Sequence, residues 1–195
     1  MSDPAYVRAF KEYTRDEPTV YDLPLMEKEF YGNSDRSVVI LQAAMVEGAL
    51  EKAIQKKMRE DTPKEVIERL FEYDGPIGNF SPKIMIAYAL GIFGPSTRHD
   101  LDLVRLMRNQ FAHCRKPLSL SIPQVSGVCD HLLIPEIAGV SISPMALAKM
   151  VGEKEALNLR NSKTRYVCCC FSIAVKLLEF AYQDAAAPFT SAMLP

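Results

Sequence analysis

The chain has 195 residues, a formal net charge of −1 and a pI of about 6.3, and 48% of its residues are hydrophobic. This composition supports one folded domain with a substantial core and excludes a disordered chain. It also lacks the overall basic excess that is typical of proteins that bind a nucleic-acid backbone. Such binding would need a local basic face.

The cellular setting follows from two further features. The sequence opens without a basic segment followed by an apolar run, and no apolar run approaches the ~18 residues of a membrane span. Its five cysteines are an odd number, and three are consecutive at 168–170, which indicates reduced thiols rather than a disulfide framework. We therefore expect a cytoplasmic protein without a membrane segment.

Helical periodicity dominates the chain and predicts an all-α fold, a single-domain helical bundle over residues 33–184. Residues 1–32 contain three prolines and six aromatic residues, and we expect an arm with a short helix near Tyr6–Tyr13. The aromatic residues of the arm would pack on the chain's own core or on a second subunit. Residues 185–195 are predicted to be a frayed tail.

The predicted helices combine an apolar side at helical spacing with start or stop signals. In chain order they cover about 34–59, 63–72, 82–91, 95–114, 123–133, 144–151 and 157–183. Asn33 or Ser34 can cap the first helix, Thr62 and Glu65 form a capping box at the second, and Ser81 can cap the third. Apolar residues alternate with serines at 118–122, so a short strand is an alternative for this segment.

Between the second and third helices lies the segment Asp74–Pro82, with two glycines and two prolines in nine residues. Such a composition is typical of an ordered loop. Gly75 and Gly78 do not form a phosphate loop, because the preceding strand and the lysine are missing.

The helix predicted at 95–114 carries a polar face opposite an apolar stripe. The face contains residues at steps of three or four, with one arginine at its flank: Asp102, Arg105, Asn109, His113 and the flanking Arg108. An arginine, an amide and a histidine that converge can bind and cleave a phosphodiester. On residues alone, a histidine at a helix end is more often a cap or a surface group.

Four segments of the sequence occur in the order that characterises one known family. They are Asp35-Arg36-Ser37 with Glu47, the loop-and-helix stretch Leu70–Ile84, the helix Ala87–Ile92, and Arg108 to His113. Across about Ser34–Cys129 the chain therefore resembles the mannitol operon repressor family.

This resemblance implies an all-helical bacterial regulator that lowers operon expression and has no recognisable DNA-binding motif. We expect repression through a partner protein, because no helix-turn-helix with a basic recognition helix is found. The residues that we expect to contribute to binding are Glu47, Asp74, Gly75, Pro76, Gly78 and Arg105.

The element Arg108-Asn109-x3-His113 also resembles the signature of HEPN domains, a helical superfamily that includes many toxin and antiphage ribonucleases. That resemblance implies a homodimer in which two subunits place Arg108 and His113 in one composite cleft. The alternative function is therefore a metal-independent ribonuclease with Arg108, Asn109 and His113 as catalytic residues, and RNA as its ligand. Glu47 would then face Arg108 across the helices.

The sequence favours a regulatory binding protein over an enzyme, and it predicts no cofactor and no metal. Cys168, Cys169 and Cys170 project about 100° apart on a helix, so they cannot share one metal ion. We expect them to be core and helix-surface thiols. The Cys129–His131 segment lacks a second ligand pair at a zinc spacing.

Overall fold

The computed structural model describes residues 4–6, 9, 34–138 and 158–182. Every regular element within these ranges is a helix, which confirms the all-α prediction. Most of the predicted arm, the predicted tail and the helix predicted at 144–151 lie outside the described residues. The proposed domain limits therefore stay a prediction.

Seven helices are described, and they surround a central pair. They are α1 Asp35–Lys57, α2 Lys64–Phe71, α3 Phe80–Ala89, α4 Pro95–His113, α5 Pro123–Asp130, α6 Ile134–Ala138 and α7 Ser162–Tyr182. The pair α1 and α7 packs along its length, α3 and α4 pack on α1, and α5 and α6 pack on α7. None of the described helices is long and apolar enough to cross a membrane.

The core lies where α1, α4 and α7 meet. Fully buried apolar side chains from these helices include Leu50, Ile54, Leu101, Phe111 and Ile173. Each such side chain stabilises the fold by roughly 1.5–3 kcal/mol through the removal of apolar surface from water. The core thus fixes α4 by the apolar stripe that the sequence predicts.

The three consecutive cysteines are all buried, so the expectation of helix-surface thiols is wrong. Three successive residues cover about 200° of a helix, which normally exposes at least one of them. Here α7 contacts α1, α4, α5 and α6, and these neighbours cover most of its circumference. Cys168, Cys169 and Cys170 therefore all lie in the core.

Two predicted helix starts also differ from the structure. The Thr62 hydroxyl donates to the carbonyl oxygen of Arg59 (2.7 Å) and makes no side-chain cap, so the predicted capping box does not form. The third helix begins at Phe80, before the predicted cap Ser81, because the buried Phe80 ring anchors the first turn. Ser34 does cap α1, since its Oγ accepts from the amide of Ser37 (3.4 Å).

Helix α6 was not predicted, and the structure explains its formation. The buried carboxylate of Asp100 accepts hydrogen bonds from the backbone amides of Leu133 (2.9 Å) and Ile134 (2.8 Å). These bonds satisfy the free amides at the start of α6. Residues 118–122 form a turn rather than a strand, with the amide of Leu120 bonded to Asp35 (2.9 Å).

Candidate functional site

The C-terminal end of α4 is held by a residue of α1. The guanidinium of Arg36 donates to the carbonyl oxygens of Phe111, Cys114 (3.0 Å) and Lys116 (2.9 Å). The last carbonyls of a helix have no partners within the helix, and a cation there also interacts favourably with the helix dipole. Arg36 thereby fixes the segment that carries Arg108, Asn109 and His113.

A chain of charged side chains joins α3, α1 and α4. The ammonium group of Lys83 lies 3.3 Å from Oε1 of Glu47 and 2.9 Å from Oε2 of Glu51. The second oxygen of Glu47 lies 3.9 Å from Nη2 of Arg108. Nη1 of Arg108 in turn donates to Oδ1 of Asn109 (3.1 Å). The structure thus brings together Glu47, Arg108 and Asn109, as the sequence analysis expects.

The other residues of the predicted polar face, Asp102, Arg105 and His113, are less firmly engaged. Arg105 pairs only loosely with Asp102 (3.5 Å), and its Nε has no hydrogen-bond partner among the described residues. His113 is exposed, and within the described residues no group hydrogen-bonds to its imidazole. Leu106 is an exposed apolar residue on the same side of the helix. On this face, the exposed side chains of Leu106 and His113 therefore have no described hydrogen-bond or ion-pair partner.

The glycines of the 74–78 loop have a structural role. A Cβ on Gly75 would stand 2.4 Å from the carbonyl oxygen of Arg69, and a Cβ on Gly78 would stand 1.9 Å from that of Glu72. Only glycine allows this close approach, which folds the loop onto the end of α2. Asp74 and Pro76 remain exposed at the surface of the loop. The residue near the charged side chains is Phe71, the last residue of α2 before this loop, whose ring lies 5.8 Å from Nζ of Lys83.

The outer side of α3 is a surface that the sequence analysis missed. Its apolar residues at helical spacing, which we call the α3 stripe, are Pro82, Met85, Ile86, Ala89 and Leu90. The inner side of the same helix buries Phe80, Ile84 and Ala87. The signal was present in the sequence, because positions 80–90 contain one charged residue only, and an apolar helix side without a core partner marks a contact surface.

The described residues contain no group of three or more side chains arranged to hold a metal ion. The buried thiols are also unsuited to bind metal or act as nucleophiles at neutral pH. Burial raises the pKa of Cys129 to about 12 and also raises that of Cys168. The thiolate is the form that reacts and binds metal, so these residues belong to the core.

Comparison with known proteins gives one clear relationship. No family model matches the sequence. Mannitol operon repressors from two Escherichia coli strains are 24% identical over 121 residues, which is 61% of this chain and 62% of the repressor. The chain thus aligns with less than two thirds of the length of these relatives.

A solved structure extends the likeness to the fold. One chain of the X-ray structure of the MtlR-HPr complex from Escherichia coli matches with a TM-score of 0.59 and 18% identity. The match covers 82% of this chain and 99% of the solved one. The two chains share a fold. This likeness and the repressor alignment support the mannitol repressor resemblance, whereas the HEPN resemblance stays a prediction.

Proposed function

We propose that this chain is a regulatory protein that acts by binding a partner protein, and that the partner is of the HPr type. Two findings support the proposal. The curated relatives are mannitol operon repressors, and the solved chain of the same fold comes from a complex with HPr. The α3 stripe and the polar face of α4 supply the kind of surface that such a function requires.

The proposal rests mainly on the exposure of the apolar side chains of the α3 stripe. Met85 of α3 is 58% exposed, and Leu90, the residue after its last turn, is 42% exposed, although the other side of this helix lies in the core. The one charged residue of the helix, Lys83, points inward and is buried. Full burial of one large apolar side chain of this stripe by a partner contributes at most about 1.5–3 kcal/mol.

The polar face of α4 complements this stripe, because α4 packs directly against α3. Arg105 and Arg108 supply donors, and Leu106 adds an apolar contact among them. Protein interfaces combine an apolar centre with a polar rim, and arginine is enriched in interfaces relative to the rest of the surface. We include the exposed loop residues Asp74 and Pro76 in the rim, with Glu47 as the residue that orients Arg108.

A ribonuclease fits this surface less well. The guanidinium of Arg108 already has the carboxylate of Glu47 and the amide of Asn109 as neighbours. Asp102 places a further carboxylate on the same face, about one turn from Arg105. Carboxylates along a surface repel a phosphate backbone, so we assign the face to protein binding.

The test is a titration of the purified chain with HPr from the same source organism, followed by isothermal calorimetry. We expect a saturable complex that is at least tenfold weaker in Met85→Asp and in Leu90→Asp, because each change places a charge in the apolar centre of the interface. Val66→Asp is the matched control. Val66 is 46% exposed and apolar but lies on α2, outside the stripe.

Two results would overturn the proposal. Absence of binding to HPr at a protein concentration of about 100 µM would remove the assigned partner, because functional complexes are commonly tighter than that. Equal losses in Met85→Asp and Val66→Asp, with both variants folded, would remove the α3 stripe as the interface.

A further inference from the structure

Lys83 occupies an environment that is unusual for a lysine. Its side chain is only 6% exposed, and it lies between the carboxylates of Glu47 and Glu51. The ring of Phe71 lies on one side of the ammonium group at 5.8 Å. A buried ammonium needs such compensation, since removal from water disfavours its charge. The arrangement therefore depends on both carboxylates.

Glu47 is the residue that Lys83 shares with the surface. Its Oε1 faces Lys83 at 3.3 Å, and its Oε2 faces Arg108 at 3.9 Å. Arg108 is 42% exposed, so the guanidinium stands between a partly buried carboxylate and solvent. How strongly Glu47 attracts Arg108 therefore depends on how far Lys83 already neutralises Glu47.

We propose that Lys83 is a positioning residue, which sets the availability of the Arg108 guanidinium by neutralising Glu47 from inside the fold. The proposal rests on the proposed function in giving Arg108 a role in binding. The buried pair keeps Glu47 turned toward α3, so that Arg108 contacts it at long range only. The guanidinium then keeps donors free at the face of α4.

The charges that lead from Glu51 through Lys83 and Glu47 to Arg108 make two opposite changes possible. Lys83→Met removes the inner cation, so that Glu47 turns to Arg108 as a close bidentate partner and withdraws it from solvent. Glu51→Gln removes the competing carboxylate, so that Lys83 turns fully to Glu47 and Arg108 is released. If Lys83 and Glu51 had a purely structural role, both substitutions would loosen the site. The accessibility of Arg108 would then change in the same direction in both variants.

The experiment measures chemical modification of arginine in the purified full-length chain. A dicarbonyl reagent such as phenylglyoxal must reach the nitrogen atoms of the guanidinium group, and a close bidentate carboxylate partner occupies them. We expect the modification rate of Arg108, followed by peptide mass spectrometry, to fall at least threefold in Lys83→Met and to rise at least twofold in Glu51→Gln. Arg115, which is exposed, is the internal reference.

Lys83→Arg is the conservative control and keeps the rate for Arg108 near that of the wild type. If Lys83→Met does not fold, the rise in Glu51→Gln decides the question, since Glu51 is only partly buried. An unchanged rate in a folded variant, or a change of the same sign in both variants, would overturn the proposal. The modification rate is measured without the binding partner. This test can therefore succeed or fail independently of the calorimetric test of the proposed function.

Discussion

Arg36 in the first turn of α1 donates a hydrogen bond to the carbonyl oxygen of Cys114 (3.0 Å), the residue that follows the last turn of α4. The two residues are 78 positions apart in the sequence. The contact closes the helix end that carries His113, and it does so without the histidine. The capping role that the sequence analysis offers as an alternative for His113 is thus filled by Arg36.

The contact predicts different stabilities for two substitutions. Arg36→Ala leaves three carbonyl oxygens without their charged donor, and we expect the free energy of unfolding to fall by about 2 kcal/mol. His113→Ala removes an exposed side chain without a described partner, and the expected change is within about 0.5 kcal/mol. Urea denaturation of the two variants checks this. A larger loss in His113→Ala than in Arg36→Ala would contradict it.

A second prediction concerns Gln42, a fully buried residue of α1. Neither its amide oxygen nor its amide nitrogen has a hydrogen-bond partner among the described residues. Buried polar groups without partners lower stability, and an apolar group of similar shape removes that cost. We expect Gln42→Met to raise the free energy of unfolding by about 1 kcal/mol. Gln42→Glu is the opposite control and should destabilise strongly, because it buries a charge.

The buried thiols predict a loss of stability at alkaline pH. Burial raises the pKa of Cys129 to about 12 from its usual 9.0, so the folded state keeps a proton that the unfolded chain releases. Stability is therefore complete below pH 9 and falls as the pH rises from 9 toward 12. Each such thiol contributes a slope of up to about 1.4 kcal/mol per pH unit in this range. Denaturation curves between pH 7 and 11 measure the effect.

The same burial predicts which thiol reacts in the native state. Cys114 is partly exposed, whereas Cys129 and the three cysteines of α7 are buried. A thiol reagent at pH 8 should therefore modify Cys114 alone, and all five cysteines after unfolding in urea. Fast modification of two or more thiols in the folded protein would show that α7 is more accessible than its burial indicates.

Local patterns in the sequence explain most of the fold. Pro95 at the start of α4 and the apolar spacing of Val104, Met107 and Phe111 predict both the limits and the buried side of that helix. Glu47 and Arg108 both belong to the segments that resemble the repressor family, and their side chains face each other in the structure. These features depend on neighbouring residues or on a shared pattern, so a sequence reveals them.

The contacts that shape the site could not be predicted in the same way. Arg36 reaches carbonyl oxygens that are 75 to 80 positions away, which no local pattern encodes. Lys83 is buried against the general preference of lysine for the surface, because two carboxylates of another helix neutralise it. The α3 stripe was missed because the sequence does not show which side of an apolar helix is buried. Only the packing of α3 on its neighbours shows that this side is exposed.

A fifth prediction separates the binding protein from the ribonuclease. We expect no cleavage of single-stranded RNA above background in the presence of EDTA, and His113→Ala should behave like the wild type. Sequence-specific binding to promoter DNA should also be absent at physiological salt, because the sequence shows no helix-turn-helix pattern with a basic recognition helix and has a net charge of −1. Metal-independent cleavage that His113→Ala abolishes at wild-type stability would instead establish the HEPN alternative.

If the partner covers α3, the backbone amides of this helix exchange more slowly in the complex than in the free chain, and hydrogen exchange measures this difference. Peptides from the chain are compared with and without saturating HPr, after exchange times from seconds to hours. We expect slower exchange of backbone amides in residues 80–90 and at the C-terminal end of α4, and unchanged exchange in α2, which carries Val66. Protection confined to α2 or α7, with residues 80–90 unaffected in a formed complex, would contradict it.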